Sequence, residues 1–199
     1  MTLKAAPALI LATCLSLTAC KQNPTAPDTD ASTNAAILPE ANVSLAIPNP
    51  AVTAPDFVNA VAISDMFEIA ASTLALEKAK NPAIKTFAEQ MIKDHGATTA
   101  EVKQIIAKDT LEQPPSKLDL DHDTMIADLK AAEPEDFDAL YLDQQRKAHQ
   151  SALNLLQGYA VNGDNADLKG FASETAPKVQ HHLQMVNDLD EKGADEPTG

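Results

Sequence analysis

The chain has 199 residues and a formal charge of −14, room for one ordinary domain with extensions. That charge, with no basic cluster anywhere, excludes a nucleic-acid partner held through its phosphates. Aromatic residues make up only 4%, Trp is absent and Gly occurs six times among abundant Ala, Leu, Lys, Glu and Gln, a balance that favours helices over sheets.

Residues 1–19 read as a secretory signal: one cation at Lys4, then an apolar run from Ala5 to Leu17 that is too short for a permanent bilayer span. Leu17-Thr18-Ala19-Cys20 resembles the lipobox of bacterial lipoproteins, in which cleavage exposes a cysteine that is then acylated, here Cys20. An ordinary signal peptide with a chance cysteine is the alternative. Acylated Cys20 would hold the mature chain on a lipid bilayer without crossing it. The resemblance implies a periplasmic, lipid-anchored protein, and Lys21, standing where an acid would favour retention at the inner membrane, favours the outer one. Cys14 and Cys20 are the two cysteines, so the rest of the chain has neither a disulfide nor a thiolate metal ligand.

Residues 20–55 carry the lipidation site and then a Pro/Ala-rich tether, with prolines at 24, 27, 39, 48, 50 and 55 that exclude helix. Extended at about 3.1 Å per residue, such a stretch reaches on the order of 100 Å from the bilayer.

Residues 56–191 read as four long helices. The first runs from a cap at Asp56 to about Lys80, with Phe57, Val61, Phe67, Ala71 and Ala75 on its core face and Glu68 interrupting that face. Asn81-Pro82 opens the second, a cap followed by the residue best suited to a first turn. Its apolar stripe, Ile84, Phe87, Met91, Val102 and Ile106, includes His95. Pro114-Pro115 breaks the chain, and a short amphipathic helix around Asp119 to Ala131 forms a connector. The acids flanking His122 there fit helix capping better than a ligand cluster. Pro134 is expected to open the third long helix, which carries His149 on the face of Ala152 and Leu156. Asn162-Gly163 marks a turn expected to use positive φ. The last helix, from about Asn165 to Glu191, has His182 in its stripe and Pro177 in its interior, followed by a polar tail, 192–199.

Short turns within each pair and a long middle connection predict an all-α, ferritin-like four-helix bundle with a helix-containing crossover. Met66-Phe67-Glu68, Asn81-Pro82 through Phe87-Ala88 to Met91, Asp94-His95, His149, and Leu168-Lys169-Gly170-Phe171-Ala172 through Pro177 to His182-Leu183 resemble the bacterial envelope family catalogued as domain of unknown function 4142. That resemblance covers nearly all of the folded part and implies a ferritin-like fold in a predicted outer-membrane protein, with no established reaction. The family often has an acid just before the third-helix His, where this chain has Ala148.

Each long helix thus offers one polar seam residue: Glu68, His95, His149 and His182. A carboxylate and three neutral imidazoles suit a divalent transition metal such as zinc, copper or iron. Counting along antiparallel helices puts Glu68 and His95 nearly level, but His149 and His182 about 9 Å apart in depth, so Glu68 with His95 is the expected pair. The residues three before the histidines are Ile92, Arg146 and Val179, so the Glu-x-x-His pattern of carboxylate-bridged di-iron bundles is missing. With no nucleophile elbow either, the residues point away from catalysis. Two functions remain: an envelope lipoprotein that binds or senses a metal through the seam, or a non-catalytic module that meets an envelope protein partner while the seam only sets helix register.

Overall fold

A computed structural model describes residues 52–194. The leader, Cys20, the tether through residue 51 and residues 195–199 lie outside the described residues. The described residues form five helices and no strand: α1 (Ala54–Lys78), α2 (Pro82–Asp109), α3 (Leu120–Ala131), α4 (Phe137–Asn162) and α5 (Ala166–Ala194).

Local chemistry explains most of the boundaries. Helix α2 begins as expected: the Asn81 side chain accepts from the Ala83 amide, with Pro82 in the first turn. Helix α1 starts two residues before Asp56 because Thr53 is its cap. The Thr53 hydroxyl oxygen accepts from the Asp56 amide and its O–H donates to the Asp56 carboxylate at 2.7 Å. Pro55 is therefore part of the helix, in the first turn, where a missing N–H costs nothing. Helix α4 starts at Phe137, three residues after Pro134. The amides of Asp136 and Phe137 both donate to the Glu133 carbonyl in a tight turn that precedes it. Helix α5 is continuous through Pro177 and reaches Ala194, so 192–194 are helix rather than tail.

The Asn162-Gly163 turn is made without positive φ: Gly163 has φ −60°. Glycine is required there for space, since a Cβ would come within 2.4 Å of the Tyr159 ring and 2.7 Å of the Tyr159 carbonyl oxygen. Thr110, which ends α2 at φ 55°, is the one non-glycine with positive φ among the described residues.

Helices α1 and α2 pack along their lengths as one hairpin, and α4 and α5 as the other, with α3 lying across α1 and α4. Asp138 at the start of α4 ties the hairpins together, its carboxylate accepting from the amides of Lys80 and Asn81 at 3.1 and 2.9 Å. At the opposite end, the Asn165 amide donates to Asp109.

The interior has two apolar regions. One contains Phe67, Ile84, Phe87, Met91, Phe137 and Tyr141, and the other Phe57, Val102, Ile106, Tyr159, Leu168 and Phe171. Tyr159 stacks on Phe57 with 3.9 Å between ring centres. Along every long helix the change from one region to the other passes through buried polar residues: Asp65 and Glu68 on α1, His95 and Thr98 on α2, Gln145 and His149 on α4, Thr175 and His182 on α5. A polar layer therefore crosses the bundle at mid-height.

Candidate metal centre

The layer exists because each helix places a polar side chain where its own stripe calls for an apolar one. On α1, Val61, Asp65, Glu68 and Ser72 follow three-and-four spacing, and all four are buried. On α2, His95 and Thr98 lie between Met91 and Val102 on one face.

Three of the four seam residues converge. His95, His149 and His182 are each at most 5% exposed, with ring centres 5.7 Å (95 to 149), 5.9 Å (95 to 182) and 5.4 Å (149 to 182) apart. One ligand nitrogen from each ring lies within 4.8 Å of those of the other two. The expected 9 Å offset between His149 and His182 is thus corrected. Helix α4 extends to Asn162 and α5 starts at Ala166, which puts His149 thirteen residues before one helix end and His182 sixteen after the other. The remaining three-residue step, about 4.5 Å of rise, is within the reach of two imidazole side chains.

Each ring is held by one nitrogen and left free at the other. His95 Nδ1 donates to Asp65 Oδ1 at 2.7 Å, His149 Nδ1 to the Gln145 carbonyl at 2.8 Å, and His182 Nε2 to Asp94 Oδ2 at 2.9 Å. These acceptors assign the proton of the neutral ring to the named nitrogen, so in that form His95 Nε2, His149 Nε2 and His182 Nδ1 carry the lone pairs. All three are buried without a hydrogen-bond partner. A carboxylate or carbonyl behind an imidazole whose other nitrogen is free is the arrangement that orients metal-binding histidines. Asp65 is itself fixed by the hydroxyls of Thr98 and Thr99, each at 2.9 Å, and Gln90 donates to Asp94 at 2.6 Å.

The fourth seam residue stands apart. Glu68 Oε1 is 3.6 Å from His149 Nδ1, on the ring edge already turned to the Gln145 carbonyl, and Glu68 is not among the residues whose ligand atoms share the 4.8 Å spacing. The expected Glu68–His95 pair is replaced by Asp65–His95. Burial pushes the Glu68 carboxyl up to about 7, against the opposing pull of His95, and its Oε2 has no partner.

The rings differ in protonation. Burial pulls His149 down to about 4, and the neighbouring His95 adds to the effect. Burial also lowers His182 to about 4, with Asp94 acting against it. His95 is raised: burial opposes its charged form, but the Asp65 hydrogen bond and the Glu68 and Asp65 charges outweigh that. At neutral pH His149 and His182 are therefore free bases.

The donor set fits an ion. In tetrahedral coordination at about 2.0–2.1 Å, nitrogens stand roughly 3.4 Å apart, so closing from the present spacing takes side-chain movements of under about 1 Å. Three clustered imidazoles, each with one buried nitrogen lacking a partner, are completed by a cation or a donor. His122 takes no part; its Nδ1 donates to Asp119 on the exposed start of α3. Reading the helices as stripes missed Asp65, although its place between Val61 and Glu68 put it on the buried face. It also passed over the role of Asp94, adjacent to His95.

No curated protein matches the chain. A solved structure titled "CopM in the Cu(II)-bound form" shares the fold with a TM-score of 0.61 at 18% identity, over 70% of this chain and 97% of that one. The sequence model of the family described as Domain of unknown function (DUF4142) matches residues 40–189, and this chain belongs to that family.

Proposed function

We propose that this protein binds one divalent transition-metal ion through His95 Nε2, His149 Nε2 and His182 Nδ1. The observation that carries the reading is the convergence of three buried imidazole nitrogens, each unpartnered, with the opposite nitrogen of each ring hydrogen-bonded to an acceptor. Three imidazole ligands without thiolate or bridging carboxylates suit copper or zinc, and copper(II) is the tightest of the common divalent ions at such a site. Copper is also the ion named for the neighbour of the same fold. Glu68 lies beside the site as a carboxyl that exchanges its proton near neutrality, and Asp65 and Asp94 position His95 and His182.

The site belongs to an envelope lipoprotein in this reading, anchored through acylated Cys20 and carried into the periplasm, on the outer membrane, by the Pro-rich tether. The lipobox-like Leu17 to Cys20 and the Lys21 that follows support that address.

Isothermal titration of the full chain with copper(II) and with zinc tests the site. One ion per chain is expected. His149→Ala should weaken binding by about 100-fold or more, and Asp65→Asn, which leaves all three ligands in place, by about 10- to 100-fold. A flat isotherm, or equal affinity in His149→Ala, would overturn the reading.

A further inference from the structure

A cavity of about 510 Å³ opens beside the histidines, between the polar layer and the Phe57–Tyr159 end of the core. Its volume is in the range of sites that take small organic molecules. Small side chains at Ala60, Ala148 and Ala152 leave the space, and Val61, Leu156 and Phe171 give it apolar walls. At its inner end are His95, His182 and Thr175. Thr175 is 4% exposed, and its hydroxyl has no partner, like His182 Nδ1 beside it. Buried polar atoms left unpaired in an otherwise apolar wall mark where the polar end of a ligand would be received. His149 does not line the cavity. A three-imidazole site would leave room for at least one further ligand on the ion, and His95 and His182 are the two of the three histidines that line the cavity. The acidic residues lining it, Asp56, Asp65, Asp94, Glu101 and Asp119, outnumber Lys178, so the ion-free cavity disfavours an anion.

Resting on the metal-binding reading above, we infer that this cavity takes a small, uncharged, mainly apolar molecule with one neutral nitrogen or oxygen donor, which reaches the open side of the bound ion and the Thr175 hydroxyl. The domain would then hold an ion together with an organic ligand of that ion. The walls would select the ligand by shape, and the ion would supply the directional contact.

The test uses the full chain with 4-phenylimidazole as the neutral probe and benzoate as its anionic counterpart, titrated into ion-free and copper-loaded protein. Copper uptake is measured first, so failure of the metal-binding reading shows as an absent copper isotherm before any probe is added. With copper bound, 4-phenylimidazole should bind at least about tenfold tighter than to ion-free protein and shift the copper absorption band, and in ion-free protein benzoate should bind at least about tenfold weaker than the azole. Ala152→Phe, which fills the cavity one turn from His149, should weaken the azole about tenfold or more while the protein still takes up one copper ion. Ala60→Leu repeats the comparison if Ala152→Phe does not fold. Normal copper binding with no azole binding, or with azole affinity equal in wild type and the filled variants, would overturn the inference.

Discussion

At the scale of single residues, the polar layer has an unusual dependence on pH. His149 and His182 titrate near 6.5 when the chain is unfolded and near 4 when it is folded. Between those values the unfolded chain binds more protons, so their contribution is complete above pH 6.5 and is lost as pH falls through 4. Glu68 runs the other way: raised to about 7, it contributes fully below its ordinary value near 4.5, and that contribution is lost as pH rises through 7. His95, also raised, has the same sign as Glu68. The His95 contribution changes mainly above pH 6.5, so from pH 6.5 to 4.5 two rings oppose one carboxyl and the ion-free domain should lose stability on acidification. Urea midpoints of ion-free protein should fall across that window and flatten in His182→Leu; a wild-type profile that is level or rises toward pH 4.5 would contradict the assignment. Part of this site was legible in the sequence. His95, His149 and His182 each broke an apolar stripe and so declared themselves. Asp65 did not, because a carboxylate beside Ser64 and Met66 reads as one more surface acid until the partner that satisfies it is known. The depth of His149 relative to His182 was also hidden, since it depended on where α4 ends and α5 begins, and helix ends are the least determined part of a periodic pattern.

At the scale of elements, the short helix α3 needs an anchor, because twelve residues hold few apolar contacts and only Ile126 and Leu129 are buried. Lys78 at the end of α1 supplies it. Its ammonium donates to the carbonyls of Leu129, Lys130 and Ala132 at 2.9, 2.8 and 3.0 Å, closing the C-terminal end of α3, and lies 5.3 Å from the centre of the Phe137 ring. A cation at that end of a helix satisfies free carbonyls and opposes the negative end of the dipole. Lys78→Met keeps the stem and removes the charge; it should cost roughly 1–2 kcal/mol in urea denaturation and speed amide exchange in α3 before the long helices. Unchanged exchange in α3 would show that the crossover is held by packing alone. Element types were readable throughout, since three-and-four spacing survives in all four long helices. Boundaries failed where a side chain was recruited from far away or for an unexpected purpose: Pro55 looked like tether but lies in a first turn capped by Thr53, and Asp138 bonds across to the α1–α2 turn, outside its own helix. Gly163 was read as a source of positive φ because Asn-Gly usually is one, whereas the packing of Tyr159 against the turn is what demands it.

At the scale of the whole molecule, the polar layer divides what would otherwise be one continuous core, and it contains more unpartnered atoms than helix register needs. Besides the three imidazole nitrogens, Thr175 Oγ1 is buried without a partner. Each such atom opposes folding, while a buried polar group kept for register is stabilising only when it is paired. The two uses of the seam therefore predict opposite signs for one substitution. If the imidazoles only fix register, His149→Leu breaks a network and destabilises the domain. If they are kept for an ion, the same change removes an unpaired nitrogen from a dry interior and leaves the Gln145 carbonyl with its helical hydrogen bond. The ion-free variant should then be more stable than wild type by about 1–2 kcal/mol. Copper or zinc at 100 times its dissociation constant should add about 2.7 kcal/mol to wild type and at most about 0.4 kcal/mol to the variant, so the order of stability reverses when the ion is supplied. Thermal melts of both proteins, with chelator and with ion, decide between the two: a variant less stable than wild type under chelator, or one that gains as much from the ion, would assign the histidines to the fold rather than to a metal.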